Sequence, residues 1–297
     1  MSAPSSARLR GLALIGLAAV SWGTTGSVTT VLVATAGTHA LVIGAVRMLV
    51  AAALLVGIAR WMAGSLRIAP TERWRCVTLG VCLAAFQATY FSAVTLTGIA
   101  VTALIAICGA PLLIAGLAVV LLGERVTARV GWALALGMAG TVLLIAGPGS
   151  AADVSARFGA GVLLALGASL SYALYVVVAK GALGRSAPLP LAAASFAVAA
   201  VLLAPVLLTP DLGRQVALGW PWLLYLGAVT TAGAYAAYTI GLRDVPASSA
   251  GVVALLEPLT ATLLGVGFFG ERLGGAGVVG AALLFGALAL LVTRPAR

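Results

Sequence analysis

Long apolar stretches, separated by short polar or charged segments, dominate this chain of 297 residues. A helix that crosses a bilayer needs about 20 mostly apolar residues. Ten stretches qualify: 11–35, 39–62, 74–95, 99–122, 129–147, 158–181, 188–208, 219–240, 247–269 and 275–293. Because lipid offers the backbone no hydrogen-bond partner, each stretch is predicted to be helical. We number these predicted membrane-spanning helices spans 1 to 10.

Composition supports a membrane protein, since 62% of the residues are hydrophobic and only 8% are charged. Soluble domains usually carry about a quarter charged residues. The net charge of +10 does not indicate a nucleic-acid partner, because the basic residues lie in short loops and not on one soluble face. Most of the 17 Lys and Arg residues lie in loops and tails on one predicted side of the membrane. Both termini lie on the same side. The positive-inside rule therefore predicts cytoplasmic termini.

The sequence contains two matching halves. Pro111 leads through an apolar run to Gly123-Glu124-Arg125, and Pro258 leads through a run of equal length to Gly270-Glu271-Arg272. Val20-Ser21-Trp22-Gly23 similarly matches Leu170-Ser171-Tyr172-Ala173, and the two segments follow Gly11 and Gly161 at the same distance. We therefore predict an all-α membrane protein with two five-helix repeats, 1–150 and 151–297. An odd number of crossings separates the copies, so the repeats are predicted to be inverted, with a substrate site near the membrane midplane.

Several polar and aromatic side chains are predicted to lie deep in the bilayer. Counting the helical rise from each span end places there Trp22, Arg47, Gln87, Tyr90, Tyr172, Thr231, Tyr235 and Glu257. They belong to spans of both halves. This distribution predicts a central cavity, and all of them except Thr231 are our candidate substrate-binding residues.

Arg47 and Glu257 are the two charged residues in this set, at similar predicted depth. A charge at the bilayer centre costs at least about 2.5–3.5 kcal/mol, so each should face a partner or a wet cavity. Arg47 either binds a substrate carboxylate through its planar fork or forms a structural ion pair or snorkels outward. Glu257 either binds a substrate amine or a coupling proton, or pairs structurally.

The remaining deep residues also allow two interpretations. The rings of Trp22, Tyr90, Tyr172 and Tyr235 lie too deep for an interface belt and would line an amphiphilic pocket, whereas Tyr238 is close enough to a span end to belong to the belt. Five tryptophans near span ends fit that belt: Trp61, Trp74, Trp132, Trp220 and Trp222. Gln87 either binds substrate or bonds to a neighbouring helix.

Pro111 and Pro258 occupy equivalent places in spans 4 and 9. A proline inside a helix removes a backbone hydrogen bond and kinks the helix, so the two residues are predicted either as gating hinges or as static kinks. Pairs of small residues in spans 5 and 10, such as Ala133 with Gly137, suit close helix packing. They allow either a monomer packed internally or a homodimer.

Taken together, the Trp22-Gly23 pair, Arg47 and the two Pro-to-Gly-Glu-Arg segments resemble the drug/metabolite transporter superfamily, and in particular its ten-span EamA-type exporters. The resemblance covers nearly the whole chain and implies a secondary transporter in a bacterial inner membrane that exports amino acids or other small metabolites. Ala110 stands where the second half has Glu257, so any role of that acid belongs to one half only.

The same residues allow other functions. An exporter of hydrophobic drugs is the main alternative, and a membrane-embedded enzyme or a channel is less well supported. Phosphate-loop and catalytic signatures are absent from the sequence. We therefore expect no enzyme activity, no cofactor and no metal site. The expected partners are a small-molecule substrate and membrane lipid.

Overall fold

The computed structural model describes residues 5–63, 66, 68–145, 156–269 and 274–292, and every regular element in these ranges is helical. Span 1 comprises Ser5–Gly23 and Thr25–Ala36, and span 2 is Ala40–Ala63. A short 3-10 turn, Pro70–Glu72, precedes spans 3 and 4, which share the helical segment Arg73–Leu122. Span 5 is Ala128–Ile145.

In the second half, span 6 is Ala156–Ala182 and span 7 is Pro188–Leu203, extended by the 3-10 turn Ala204–Leu208. Span 8 consists of Leu212–Gly227, a π-helical segment Ala228–Gly233 and Ala234–Asp244. Span 9 comprises Ala247–Ala254 and Leu256–Phe269, and span 10 is Gly275–Val292.

These helices confirm the predicted multi-pass membrane fold. Within the described residues, nine helices are long and apolar enough to cross a bilayer, and the shorter apolar helix Ala128–Leu143 lies at the place of span 5. The five tryptophans predicted for the interface belt are all exposed. The protein is thus built from ten helices in two inverted five-helix repeats.

Spans 3 and 4 separate at Gly98, whose φ of 80° and ψ of 166° interrupt the long helix. A positive φ of this size strongly favours glycine. The break agrees with the predicted boundary between the two spans. We refer below to the end of the bundle where residue 5 lies as the N-terminal end.

The helix contacts reproduce the twofold relation between the halves. If each span of the first half corresponds to the span five places later, the contact of span 1 with span 8 is the twin of the contact of span 6 with span 3. The structure contains both of these contacts, together with the self-related pairs of span 2 with span 7 and span 5 with span 10.

Gly11 and Gly161, the matched glycines of the two halves, make equivalent close approaches at opposite ends of the bundle. A Cβ on Gly11 would lie 2.9 Å from the carbonyl oxygen of Gly241 in span 8. A Cβ on Gly161 would lie 2.8 Å from the Cβ of Leu96 in span 3. Small residues are needed at such crossings because close backbone approach provides much of the packing energy between helices in lipid.

We predict that Gly161→Ala lowers the free energy of unfolding by about 1–3 kcal/mol, because the added methyl group overpacks the contact with span 3. Gly159→Ala is the matched control, since a Cβ there meets no atom within 4 Å and alanine favours helix. The measurement is the thermal unfolding midpoint of the purified protein in detergent. Equal midpoints for the two variants would contradict the predicted packing.

Candidate functional site

Arg47 is anchored inside the helix bundle by a hydroxyl on span 8. It is only 8% exposed, and its Nε donates a hydrogen bond to Thr231 Oγ1 at 3.1 Å. No carboxylate among the described residues lies within 4.0 Å of it. Its charge interacts electrostatically with Tyr235, Glu257 and Tyr90. Arg47 is therefore held by a hydrogen bond from its Nε and forms no ion pair with a described carboxylate.

The anchoring hydroxyl depends on a local irregularity of span 8. Thr231 lies in the π-helical segment and donates from Oγ1 to the carbonyl oxygen of Leu226, five residues earlier, at 2.6 Å. Thr230 Oγ1 donates to the same carbonyl at 2.8 Å. Because the Thr231 proton is committed to Leu226, its oxygen acts as the acceptor for Arg47. π-Bulges often occur at functional sites, and this one sets the direction of the Arg47 side chain.

Glu257 lies in span 9, just after the break at Leu255 that divides this helix into two segments. Its side chain is partly exposed. In the described part of the chain, it has neither a hydrogen-bond donor nor a cation within bonding distance, although it interacts electrostatically with Arg47. The structure therefore brings the two deep charges into one site without joining them.

Gly23 allows span 1 to cross span 9 directly at this acid. A Cβ on Gly23 would lie 2.6 Å from the carbonyl oxygen of Glu257. The crossing places the preceding residue, Trp22, among the aromatic side chains of spans 6 and 8. The Trp-Gly pair in the sequence thus combines a ring for the site with a close helix crossing.

Trp22 is the centre of an aromatic cluster. Its ring centroid lies 5.0 Å from that of Tyr235, 5.2 Å from that of Tyr238 and 6.2 Å from that of Tyr172. Tyr175 lies 5.7 Å from Tyr235 in the same measure. Such separations and the tilted geometries are typical of favourable aromatic pairs.

A second line of rings leads from this cluster to span 3. Phe86 is 6.0 Å from Tyr172 and 5.5 Å from Tyr90 between ring centroids. Gln87, the next residue, is 4% exposed and lies near Gly44 of span 2, one helical turn from Arg47. All seven predicted binding residues therefore surround the same central region: Trp22, Arg47, Gln87, Tyr90, Tyr172, Tyr235 and Glu257.

The cluster carries unused hydrogen-bonding capacity. Among the described residues, Trp22 Nε1 is buried and has no hydrogen-bond acceptor. The hydroxyl groups of Tyr172 and Tyr238 are also buried and interact with each other. Because buried polar groups are normally satisfied, the indole N–H marks a place where a polar ligand or water can bind.

Tyr238, whose place near a predicted span end allowed it in the interface belt, lies in the aromatic cluster instead. It is 0% exposed and packs against Trp22. Depth was counted from a predicted span of 219–240, whereas the helix continues to Asp244. The longer helix moves Tyr238 inward, below the site on the side of the N-terminal end.

The N-terminal end of the bundle is closed beneath this cluster. Leu242 and Val245 are fully buried there. Lys180 Nζ donates to the carbonyl oxygens of Leu242 and Arg243 at 2.8 and 3.0 Å, which joins span 6 to the end of span 8. Glu257 and Tyr90, which are partly exposed, lie above this closure.

Glu124, in the first of the two repeated Gly-Glu-Arg segments, joins the end of span 4 to the start of span 9. Its Oε1 accepts from the backbone N–H of Ala247 at 2.7 Å, and its Oε2 accepts from the N–H and the hydroxyl of Ser248 at 3.2 and 3.0 Å. A carboxylate is favourable at a helix N-terminus. The equivalent residues Glu271 and Arg272 lie outside the described residues.

The two prolines differ in their surroundings. The helical segment of spans 3 and 4 continues through Pro111, and its one residue with non-helical backbone angles is Gly98. Span 9 instead breaks at Leu255, three residues before Pro258. The equal kinks suggested by the sequence are therefore not equal in this structure. Span 9 still meets span 4 here, since a Cβ on Gly251 would lie 3.4 Å from Pro111 Cα.

A cavity of about 570 Å³ lies at the N-terminal end beside Pro70 and Arg73, away from Arg47 and Glu257. Within the described residues, no group of three or more His, Cys, Asp or Glu side chains is arranged to hold a metal ion.

The decisive comparison is with a protein family. The model of the EamA-like transporter family matches this chain twice, over residues 9–146 and 159–293. The chain belongs to the EamA-like transporter family. Each match covers one five-helix half.

Individual relatives agree with this assignment. An uncharacterized transporter of Bacillus subtilis, YwfM, is 37% identical over 94% of this chain and 92% of its own length. An uncharacterized transporter of Archaeoglobus fulgidus is 31% identical over 66% of this chain and 68% of its own length. A crystal structure of 23% sequence identity has a TM-score of 0.80 and covers 97% of both chains. That likeness shows the shared fold.

We predict that Thr231→Val destabilises the protein more than Thr230→Val. Both variants lose a hydroxyl bonded to Leu226, but only the former leaves the buried Nε of Arg47 without an acceptor, which costs about 1–3 kcal/mol. Thr231→Ser should retain wild-type stability. The measurement is thermal unfolding in detergent, repeated in an Arg47→Leu background, where the difference between the two valine variants should vanish. A difference that persists there would show that Thr231 does not act through Arg47.

Proposed function

We propose that the protein is a secondary transporter that exports small zwitterionic metabolites, amino acids above all, across a bacterial inner membrane by alternating access. The observation that supports this proposal is the arrangement of Arg47 and Glu257. Two opposite charges share one site at mid-membrane depth, yet no direct ion pair joins them. Family membership supports transport, and the charges suggest the substrate.

A zwitterionic substrate is complementary to both charges, those of Arg47 and Glu257. With Nε committed to Thr231, the remaining N–H groups of Arg47 are available to bind a carboxylate in the bidentate manner that a guanidinium favours. Glu257 is the natural partner of the substrate ammonium group. Each charge of the site would then be neutralised by the substrate, which reduces the cost of keeping both in lipid.

The aromatic cluster would surround the rest of the substrate. Trp22, Tyr172 and Tyr235 offer apolar ring surfaces, and the unpartnered indole N–H of Trp22 offers a hydrogen bond to a polar substituent. The same rings favour one second candidate, an exporter of hydrophobic cationic compounds that binds to Glu257 and the rings without using Arg47. An enzyme acting on lipid headgroups is less well supported, because these groups lie at mid-depth.

For alternating access, we propose that the structure represents a state closed toward the N-terminal end, which we assign to the cytoplasm. Spans 4 and 9 meet at Pro111 and Gly251, and span 9 already has a break next to Pro258. Bending at these prolines would open the N-terminal end while the opposite end closes. The units that move would be the repeats 1–150 and 151–297. Transport is driven either by the substrate gradient or by a proton carried on Glu257.

The proposal is tested by uptake of a panel of labelled amino acids into inverted membrane vesicles or proteoliposomes. Arg47→Lys keeps the positive charge but loses the planar guanidinium group, and it is tested on the best substrate. Its transport efficiency should fall about tenfold or more, while that of the corresponding amine without a carboxylate changes little. Glu257→Gln should impair both compounds and remove any dependence of transport on pH. Arg60→Lys, at an exposed span end, is the control.

If Arg47→Lys impaired the amine as strongly as the amino acid, Arg47 would be structural. Transport of hydrophobic cations without any amino acid would favour the second candidate. Unchanged pH dependence in Glu257→Gln would exclude the acid as the proton site.

The contact of Glu124 with the start of span 9 gives a separate prediction about closure of the N-terminal end. Glu124→Gln removes the charge that caps span 9, so the N-terminal end should open more often. We expect a cysteine introduced at Ala250, which is 0% exposed, to react several-fold faster with a membrane-impermeant maleimide added from that side, in a background that lacks the native cysteines. Arg125→Gln, at the exposed neighbouring residue, is the control. An unchanged rate in Glu124→Gln would show that this contact does not contribute to closure.

A further inference from the structure

An apolar groove lies between spans 1, 9 and 10 in the half of the membrane nearer the N-terminal end. Its volume is about 370 Å³, and all of its lining side chains are aliphatic apart from one glycine. Leu9, Leu12, Ala13 and Gly16 form the wall contributed by span 1. Their spacing of three and four residues produces one continuous stripe along the helix, about 10 Å long at 1.5 Å per residue.

Two positive charges stand at the mouth of the groove. Arg8 and Arg10 are exposed and flank Leu9, and the helical turn projects them to the two sides of the stripe. Among the residues that the structure describes, neither arginine has a carboxylate within 4.0 Å. Asp244 packs against Gly11, and Gly11 lies on the face of span 1 opposite the stripe.

We propose that this groove binds one acyl chain of an anionic phospholipid, whose phosphate lies between Arg8 and Arg10. At this depth the surroundings are hydrocarbon, and a groove of this length and composition suits a single linear aliphatic chain. Basic residues next to such a groove at the membrane surface favour anionic headgroups. The aliphatic stripe offers no hydrogen bond to a small polar substrate.

The position of the groove connects the lipid to conformational change. Val253 and Leu256 line the groove on either side of the break at Leu255 in span 9. A chain bound here contacts both segments of span 9 and the stripe of span 1 at once. The bound lipid therefore stabilises the state that is closed toward the N-terminal end.

The test is a lipid titration of the full-length purified protein by native mass spectrometry, with phosphatidylglycerol and phosphatidylcholine of identical chains. Wild-type protein should bind phosphatidylglycerol about tenfold or more tightly than phosphatidylcholine. Replacing both arginines, Arg8→Gln with Arg10→Gln, should remove this preference, at about fivefold per arginine. The matching pair of lysine substitutions should retain it.

Ala13→Phe should reduce the affinity for both lipids at least tenfold, because the ring fills the groove. Ala13 is exposed, so the ring meets no packed core, and Ala135→Phe is the control at an exposed position of similar depth in span 5. Equal affinity of the wild type for both lipids would overturn the anionic headgroup. Unchanged binding in Ala13→Phe, or protection of the groove by a second copy of the chain in cross-linking, would overturn the lipid site itself.

Discussion

The structure depends on keeping two opposite charges inside a bilayer without letting them neutralise each other. Lipid makes an unpaired charge costly, and the simplest solution would be a direct contact between Arg47 and Glu257. The protein instead holds Arg47 by its Nε on Thr231 and positions Glu257 beyond a break in span 9. Both charges remain available, and the cost is reduced only when something else binds between them. A binding site follows from this arrangement more directly than a structural ion pair does.

The symmetry of the fold provides the scaffold, and local departures from symmetry provide the site. Matched glycines make matched contacts at opposite ends of the bundle, and the prolines of spans 4 and 9 occupy equivalent positions. Yet Glu257 has Ala110 as its counterpart, span 9 breaks where span 4 continues, and the π-helical segment lies in span 8. An inverted repeat can exchange its two conformations because the halves are alike. We propose that these few residues, which differ between the halves, hold a polar substrate in one orientation.

Much of this was predictable from sequence, for physical reasons. Lipid imposes long apolar helices, so the ten spans and the deep position of Arg47 and Glu257 follow from hydropathy and helical rise. The grouping of Trp22, Tyr172 and Tyr235 follows from their predicted depth in spans of both halves. The role of Thr231 does not follow, because a π-helical turn has no hydropathy signal and depends on packing. The depth of Tyr238 was underestimated because the polar end of span 8 hides four residues of continuing helix, 241–244. The cap formed by Glu124 could not be predicted because it joins residues that are distant in sequence.

Binding of one ligand and its two blocked analogues to the purified protein tests the central claim most directly. The ligand is the amino acid that most raises the thermal unfolding midpoint, and the analogues are its N-acetyl derivative and its carboxamide. We propose that Glu257 and Arg47 each bind one end of the substrate, so each analogue should bind at least tenfold more weakly than the zwitterion by calorimetry. Binding of both analogues as tightly as the zwitterion would contradict the account, and so would the absence of stabilisation by any amino acid.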